Sequence, residues 1–167
     1  IVALFAGGPA AAQVSGGLFR ESTSVITEPG PNDSHAGYYY PELTSRETYG
    51  PRVSAMPDAT RASRIGFITG LTQQQLSKPY PPPFALFAKG GEADKMIIVS
   101  LGDHGFRSLF QARGILAQLT AVARSTTLFR DLQVEDSFTF FDLAKMLGFT
   151  QITVSDGETF AHQVTLE

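Results

Sequence analysis

The chain has no cysteine, which excludes disulfide frameworks, thiolate zinc sites, iron–sulfur clusters and cysteine nucleophiles. Only three histidines are present, so a histidine-rich metal site is not expected. Lys and Arg number 13 against 16 Asp and Glu, a balance that argues against a nucleic-acid-binding protein and excludes a polybasic membrane anchor. The nucleophile elbow, the Walker loop and the GxGxxG fingerprint are also missing. What remains, in 167 residues, is room for one ordinary domain and some additional chain.

The first thirteen residues, IVALFAGGPAAAQ, are uncharged, and nine of them are Ala, Val, Ile, Leu or Phe. An apolar run that ends in small residues is typical of the second half of a secretory signal peptide. Residues 1–13 are therefore predicted to be a signal-peptide remnant or an N-terminal membrane anchor. A buried apolar strand or helix is the alternative.

Residues 14–62 contain five prolines and five glycines but one phenylalanine, and no helical or alternating period persists through them. We therefore expect an extended arm before the folded domain. Four of the five tyrosines lie in it, and tyrosine suits interfaces because its ring is apolar and its tip polar. The predicted partner-binding residues are Tyr38, Tyr39, Tyr40 and Tyr49. The arm either contacts a partner protein or packs back on its own domain, and the sequence leaves both open.

Residues 63–167 hold eleven of the thirteen phenylalanines and are predicted to form the folded domain. Short apolar segments predict strands at 64–69, 84–88, 96–101, 151–155 and 160–166, with a hairpin loop at 90–94 and an Asp156-Gly157 turn. The prolines at 79–83 are expected to be extended.

Two helices are predicted between the strands. The first follows the helical spacing of apolar residues from Phe106 to about Arg124. For the second, Thr139 and Asp142 form a capping-box pattern, and Gly148 supplies the left-handed stop. The fold class expected is α+β: a mainly antiparallel sheet of about five strands with two helices packed on one face, preceded by the long extended arm.

The candidate chemistry is sparse. His162 is interpreted as a core histidine with one hydrogen bond, the alternative being a base that reaches into a pocket. Asp103 is interpreted as the N-cap of the first helix, the alternative being an acid–base pair with His104. His35 lies in the arm without a partner. No catalytic, cofactor-binding or metal-binding residue is therefore predicted.

Several stretches resemble a family of small exported alphaproteobacterial proteins, over roughly residues 35–167. They are HAGYYYPE at 35–42, SRIGF at 63–67, FAKG at 87–90, TFFDL at 139–143 and SDGETFAH at 155–162. Members of this family are often labelled molybdopterin-guanine dinucleotide biosynthesis protein A. Proteins similar to these are associated with respiratory complex I as accessory subunits on its periplasmic side.

The resemblance implies a non-catalytic, periplasm-facing accessory subunit of NADH:quinone oxidoreductase, with a structural or assembly role and no cofactor. Its partners would be protein subunits of the inner-membrane complex, and membrane association would be indirect or through the N-terminal apolar segment. The first alternative is a soluble periplasmic protein that binds a small ligand between helices and sheet. The second is the guanylyltransferase of the family label. Such enzymes begin with LAGGxSxRMGxDK, of which this chain matches only Leu4–Gly8.

Overall fold

The computed structural model describes residues 23–27, 37–102 and 107–167, and these form six strands and four helices. The strands are β1 (Thr23–Thr27), β2 (Ser45–Gly50), β3 (Phe84–Lys89), β4 (Lys95–Ser100), β5 (Gln151–Ser155) and β6 (Ala161–Leu166). The helices are α1 (Arg61–Leu76), α2 (Leu109–Arg124), α3 (Thr127–Asp131) and α4 (Phe140–Met146). The predicted signal-peptide remnant and His35 lie outside the described residues.

All six strands belong to one sheet, in the order β1-β2-β6-β5-β4-β3. The neighbours β1/β2, β3/β4 and β5/β6 pair antiparallel, whereas β2/β6 and β4/β5 pair parallel. The α+β class is confirmed, but the sheet is mixed and four helices are present instead of two. A parallel pair needs a long crossover, and α2, α3 and α4 lie in the chain between β4 and β5.

The short-range signals at the C-terminal end were interpreted correctly. The predicted capping box is present, with the N–H of Thr139 donating to Asp142 Oδ2 over 2.8 Å, and Gly148 adopts φ +80° directly after the helix. β5 and β6 form the predicted hairpin. Its connection is longer than two residues, because the Asp156 carboxylate accepts from the backbone N–H groups of Glu158, Thr159 and Phe160.

The strand predicted at 64–69 is wrong, since these residues lie within α1. The apolar and β-branched residues favour a strand locally, but the helix begins with a capping box between Thr60 and Ser63 and buries Arg64 and Ile68. The Arg64 guanidinium donates to the backbone carbonyls of Ala59 and Glu92. Helical spacing across 64–75, not alternation, decides which side chains reach the core.

Part of the segment predicted to be an arm packs on its own domain. β2 lies inside the sheet beside β6, and the backbone N–H of Arg52 donates to the fully buried Asp142 carboxylate over 2.8 Å. Apolar patterning does not predict β2, because SRETYG carries few apolar side chains. Only its alternation of buried and half-buried positions shows that one side of this strand faces the interior.

Helix α2 begins later than predicted, and its N-cap is Ser108, whose side chain accepts from the N–H of Gln111. The interpretation of Asp103 as the N-cap is therefore wrong. Asp103 and His104 themselves lie outside the described residues.

The two faces of the sheet are covered differently. All four helices contribute to one large hydrophobic cluster, in which Phe129, Phe140 and Phe149 are almost fully buried. On the opposite face the buried cluster consists of Tyr40, Ile97 and Ala161, with Tyr39, Leu43 and Val99 packed against it. In the part of the chain that the structure describes, residues 37–43, which we call the strip, therefore pack over the second face.

Candidate functional site

A row of polar side chains runs along the helix-facing side of β2. Ser45 and Glu47 are two residues apart, so they project to the same side of the strand, and they pair in register with His162 and Val164 of β6. Glu47 is 5% exposed and His162 is fully buried. A carboxyl group and an imidazole so far from solvent need partners within the protein.

These partners form a continuous chain of contacts. Ser45 Oγ lies 2.8 Å from Nδ1 of His162, while Nε2 of the same ring lies 3.3 Å from Glu47 Oε2 in poor alignment for a hydrogen bond. Arg113 of α2 completes the chain by donating from a terminal guanidinium nitrogen to Glu47 Oε2 over 2.9 Å. The Arg113 side chain is half exposed, so it brings a hydrated cation to a buried carboxylate.

The charge of Glu47 is stabilised by these neighbours. Burial opposes ionisation and acts to raise its pKa, but the neighbouring His162 imidazole and Arg113 guanidinium act in the other direction, and the pKa of Glu47 falls below its ordinary value. The carboxylate is therefore ionised at neutral pH and compensated inside the fold.

A cavity of about 210 Å³ lies beside this cluster, between β2, α2 and α4. Glu47, Arg113 and the hydroxyl-bearing Tyr49 and Thr139 are among its lining residues, and the Tyr49 and Thr139 hydroxyls lie 3.2 Å apart. In a hydrolase, hydroxyl, imidazole and carboxylate in sequence would form a nucleophilic triad with the serine at a pocket. Ser45 does not line this cavity, so we interpret the cluster as an internal polar network.

The four predicted partner-binding tyrosines have different surroundings. Tyr49 is buried in the large cluster, where its ring lies 4.6 Å from that of Phe141, and Tyr40, within the strip, is 2% exposed. Tyr39 is half-buried, whereas Tyr38 is 84% exposed. Because the rings of Tyr40 and Tyr49 are buried, they contribute to the protein's own core. Partner binding stays a prediction for the surface that includes Tyr38 and Tyr39.

Tyr38, Tyr39, Phe87 and Lys89 form a continuous surface, the aromatic patch, on the second face of the sheet. Ring centroids are 6.0 Å apart between Tyr38 and Tyr39 and 6.1 Å apart between Tyr39 and Phe87. The Lys89 ammonium lies 4.1 Å from the centroid of the Tyr39 ring, a cation–π contact. The sequence indicates the tyrosines but not Phe87 and Lys89. These two residues meet the tyrosines only because the strip crosses β3.

Comparison with protein-family models, curated proteins and solved structures finds no match for this chain. The site must therefore be assessed on its geometry. Among the described residues, no three histidine or carboxylate side chains converge on a possible metal position. The helices in the same part of the chain are too short or too polar to cross a bilayer.

A second concave surface lies on the helical side, between the end of α1, the proline segment, the start of β3 and α2. It is a groove of about 300 Å³ whose walls include Leu71, Tyr80, Phe84 and Val122. Among the described residues of its lining, Lys78 is the charged one, and three glutamines and the Tyr80 hydroxyl supply the other polar side-chain groups. Mainly apolar walls with a few polar groups are typical of small-molecule sites.

Proposed function

We propose that this chain is a non-catalytic accessory subunit of a membrane respiratory complex and that it binds a protein subunit through the aromatic patch. The resemblance to exported alphaproteobacterial proteins points to the periplasmic face of NADH:quinone oxidoreductase as the assembly. The role is structural: a folded domain that covers surface on a neighbour or holds it in place during assembly.

The observation that carries this proposal is the aromatic patch. Aromatic rings that lie side by side at a surface are expensive to hydrate, and tyrosine is enriched in protein interfaces. Tyr38 is 84% exposed and Phe87 is 37% exposed, so much of the patch is open. Among the described residues, the hydrophobic cluster on this face contains no helical residue.

The buried polar groups support the same interpretation. Glu47 is compensated by Arg113, and Asp142 is occupied by the backbone N–H groups of Arg52 and Thr139. His162 is fully buried. Asp142 and His162 stabilise the fold from the interior, and Glu47, which lines the cavity between β2, α2 and α4, has its charge compensated by Arg113.

The test is capture of the affinity-tagged full chain with its neighbours from detergent-solubilised membranes, quantified by mass spectrometry of the respiratory-complex subunits. Tyr38→Ser should reduce co-purification roughly tenfold or more, because a central aromatic anchor dominates binding energy. Deleting residues 14–62 would be a poor test, since it removes β2 from the sheet.

Phe110→Ser is the matched control. Phe110 is 86% exposed, as open as Tyr38, but lies in α2 on the helical side of the sheet. It should leave co-purification unchanged. Equal capture of the Tyr38→Ser variant and the unmodified chain would refute binding through the patch.

The groove favours a second candidate, a periplasmic protein that binds a small ligand. Its apolar walls with Lys78 at one side suit a small apolar molecule that carries an anionic group. Recovery of the chain as a soluble monomer whose melting temperature rises with such a ligand, and not with a membrane complex, would favour this alternative.

A further inference from the structure

Strand β3 is the last strand of the sheet, and its only strand neighbour within the described residues is β4. The backbone N–H of Leu101 donates to the Pro83 carbonyl over 2.9 Å, which fixes which residues of β3 bond towards β4. Alternate residues of an antiparallel strand bond to opposite sides, so the amide and carbonyl groups of Phe84, Leu86 and Ala88 face away from β4. In the described part of the chain these outward groups have no hydrogen-bond partner.

The sequence of this edge is complementary in size to itself. The strand reads Phe84-Ala85-Leu86-Phe87-Ala88. If a second copy pairs antiparallel with a two-fold axis at Leu86, each large ring lies opposite an alanine. Phe84 then faces Ala88 of the second copy, and Phe87 faces Ala85 of the second copy. Large and small side chains that alternate across a pair of strands pack without clashes or gaps.

Charge favours the same antiparallel arrangement. Residues 84–88 carry no charge, and Lys89 is the first charged residue along the edge. In the two-fold pair the two Lys89 residues lie at opposite ends, six strand positions or about 20 Å apart, which exceeds the screening length of roughly 8–10 Å at moderate salt. Parallel pairing would instead place these two ammonium groups side by side.

The prolines limit the length of the pairing. Pro82 is the next residue before Phe84 that would face away from β4, and it has no N–H to donate, so a ladder along this edge ends there. The paired segment is therefore short and uncharged, which is suited to a reversible contact. Its centre is at the two-fold axis, as expected for an interface that uses the same surface of both copies.

We infer that two copies of this chain associate through antiparallel pairing of their β3 edges, with Leu86 at the two-fold axis, to form one continuous sheet. This pairing uses the backbone at the edge of the sheet, whereas the aromatic patch of the proposed function uses side chains on its second face; Phe87 and Lys89 belong to both. The inference therefore stands whether or not the patch binds a respiratory subunit, and it is tested on the purified full chain alone.

The register is tested with cysteines, because the chain has none of its own. Ala85→Cys and Phe87→Cys copies are prepared separately, mixed and oxidised. Residues directly opposite in an antiparallel pair have Cβ atoms about 4.5–5.5 Å apart, close to what a disulfide requires. The mixture should form a disulfide-linked dimer that contains one copy of each variant. Neither variant alone should cross-link efficiently, since like positions lie diagonally.

The energetic test is the Ala88→Pro substitution. It removes an N–H that faces away from β4 and so spares the ladder within the sheet, while each copy loses one bond across the interface. Sedimentation equilibrium should show a dimer dissociation constant that is raised roughly tenfold or more. Ala88→Ser, which keeps the N–H, should dimerise like the unmodified chain. Circular dichroism and melting temperature establish that both variants fold.

Three results would overturn the inference. One is an unmodified chain that stays monomeric at high concentration. Another is cross-linking that is equally efficient in each cysteine variant alone. The third is an Ala88→Pro chain that folds and dimerises as well as the Ala88→Ser control. If the chain is monomeric in isolation and the Ala88→Pro variant is no longer captured with the membrane complex, the β3 edge pairs with another protein. That result would also overturn pairing between two copies.

Discussion

The two faces of the sheet obtain their cover in different ways. The first face is covered by four helices, which bury three phenylalanines almost completely together with aliphatic residues of β4, β5 and β6. The second face is covered, among the described residues, by the short strip at 37–43, in which Tyr40 is buried and Tyr38 is exposed. The helical layer on the first face contains most of the hydrophobic core that stabilises the molecule. The thin strip on the second face leaves aromatic side chains at the surface.

The polar groups follow the same division. On the helical side, the buried Glu47 carboxylate contacts His162 and Arg113, and its charge is compensated within the fold. On the second face the Lys89 ammonium lies above the half-buried ring of Tyr39, next to the exposed Tyr38. A buried network fixes one arrangement of the core, whereas a half-buried cation beside surface aromatic rings can still exchange its contacts for those of a partner.

The largest effect should come from comparing Ile98 with Ile97, neighbouring residues of β4 that are both fully buried but belong to opposite faces. We expect Ile98→Ala to lower the free energy of unfolding by about 4 kcal/mol, because rigid helices cannot close the cavity that it leaves. Ile97→Ala should lower it by about 2 kcal/mol, since the strip can settle into the space. Urea denaturation measures both. Equal losses would mean that the strip is as rigid as the helical layer.

Gly148 and Gly37 sharpen the comparison, because both adopt left-handed backbone angles, with φ of +80° and +79°. An added Cβ at Gly148 would meet a guanidinium nitrogen of Arg64 at 2.6 Å, whereas a Cβ at Gly37 in the strip would meet nothing within 4 Å. Gly37→Ala should therefore cost about 1–2 kcal/mol from the backbone alone, and Gly148→Ala about 1–2 kcal/mol more.

Thermal and urea unfolding of the two glycine variants, in parallel, give the difference. An Arg64→Ala background provides the control. In that background the additional penalty at Gly148 should shrink, because the group that the Cβ displaces is gone. A Gly37→Ala variant as unstable as Gly148→Ala would show that the strip is packed more tightly than its open surroundings indicate.

The smallest effect concerns Asp156, in the loop where the β5–β6 hairpin turns at the end of the sheet. Burial acts to raise its pKa, but hydrogen bonds from the backbone of Phe160, Glu158 and Thr159 outweigh it and lower the pKa from 3.8 to about 2. Because the folded-state value is the lower one, the carboxylate stabilises the fold above pH 3.8, and this contribution is lost as the pH falls from 3.8 towards 2.

Asp156→Asn should remove that part of the acid dependence and lower stability at neutral pH by less than about 1 kcal/mol, since solvent screens the group. Melting temperatures measured from acid to neutral pH would show the change. A variant with the same acid slope as the unmodified chain would assign that slope to other carboxylates, Glu47 first among them.

Local signals predicted the parts of the fold in which neighbouring residues determine the structure. The Asp156-Gly157 pair indicated the last hairpin, and Thr139, Asp142 and Gly148 marked the ends of α4. α1 was missed because Ile65-Gly66-Phe67-Ile68-Thr69 favours a strand by propensity. Burial of Arg64 and Ile68 against the core, which is a long-range contact, made it a helix.

The candidate sites depended still more on long-range contacts. His162 was recognised as a buried residue, but its neighbours Ser45 and Glu47 precede it by more than a hundred positions and meet it only through the parallel pairing of β2 with β6. Tyr38 and Tyr39 stood out in the sequence as aromatic residues of an apparent arm. Which tyrosines lie inside and which remain on the surface depended on how the strip crosses β3 and β4.

The sequence by itself determined the absence of cysteine chemistry, the hairpins, the caps of α4 and the α+β composition, because each follows from residue type or from contacts within a few positions. Only the tertiary structure decided that β2 enters the sheet, that Glu47 is compensated by Arg113, and that β3 is left at the edge of the described sheet with its outward backbone groups unpaired. These arrangements join residues that are distant in the chain. The free energy that selects them comes from burial and pairing across the whole fold, which no local pattern encodes.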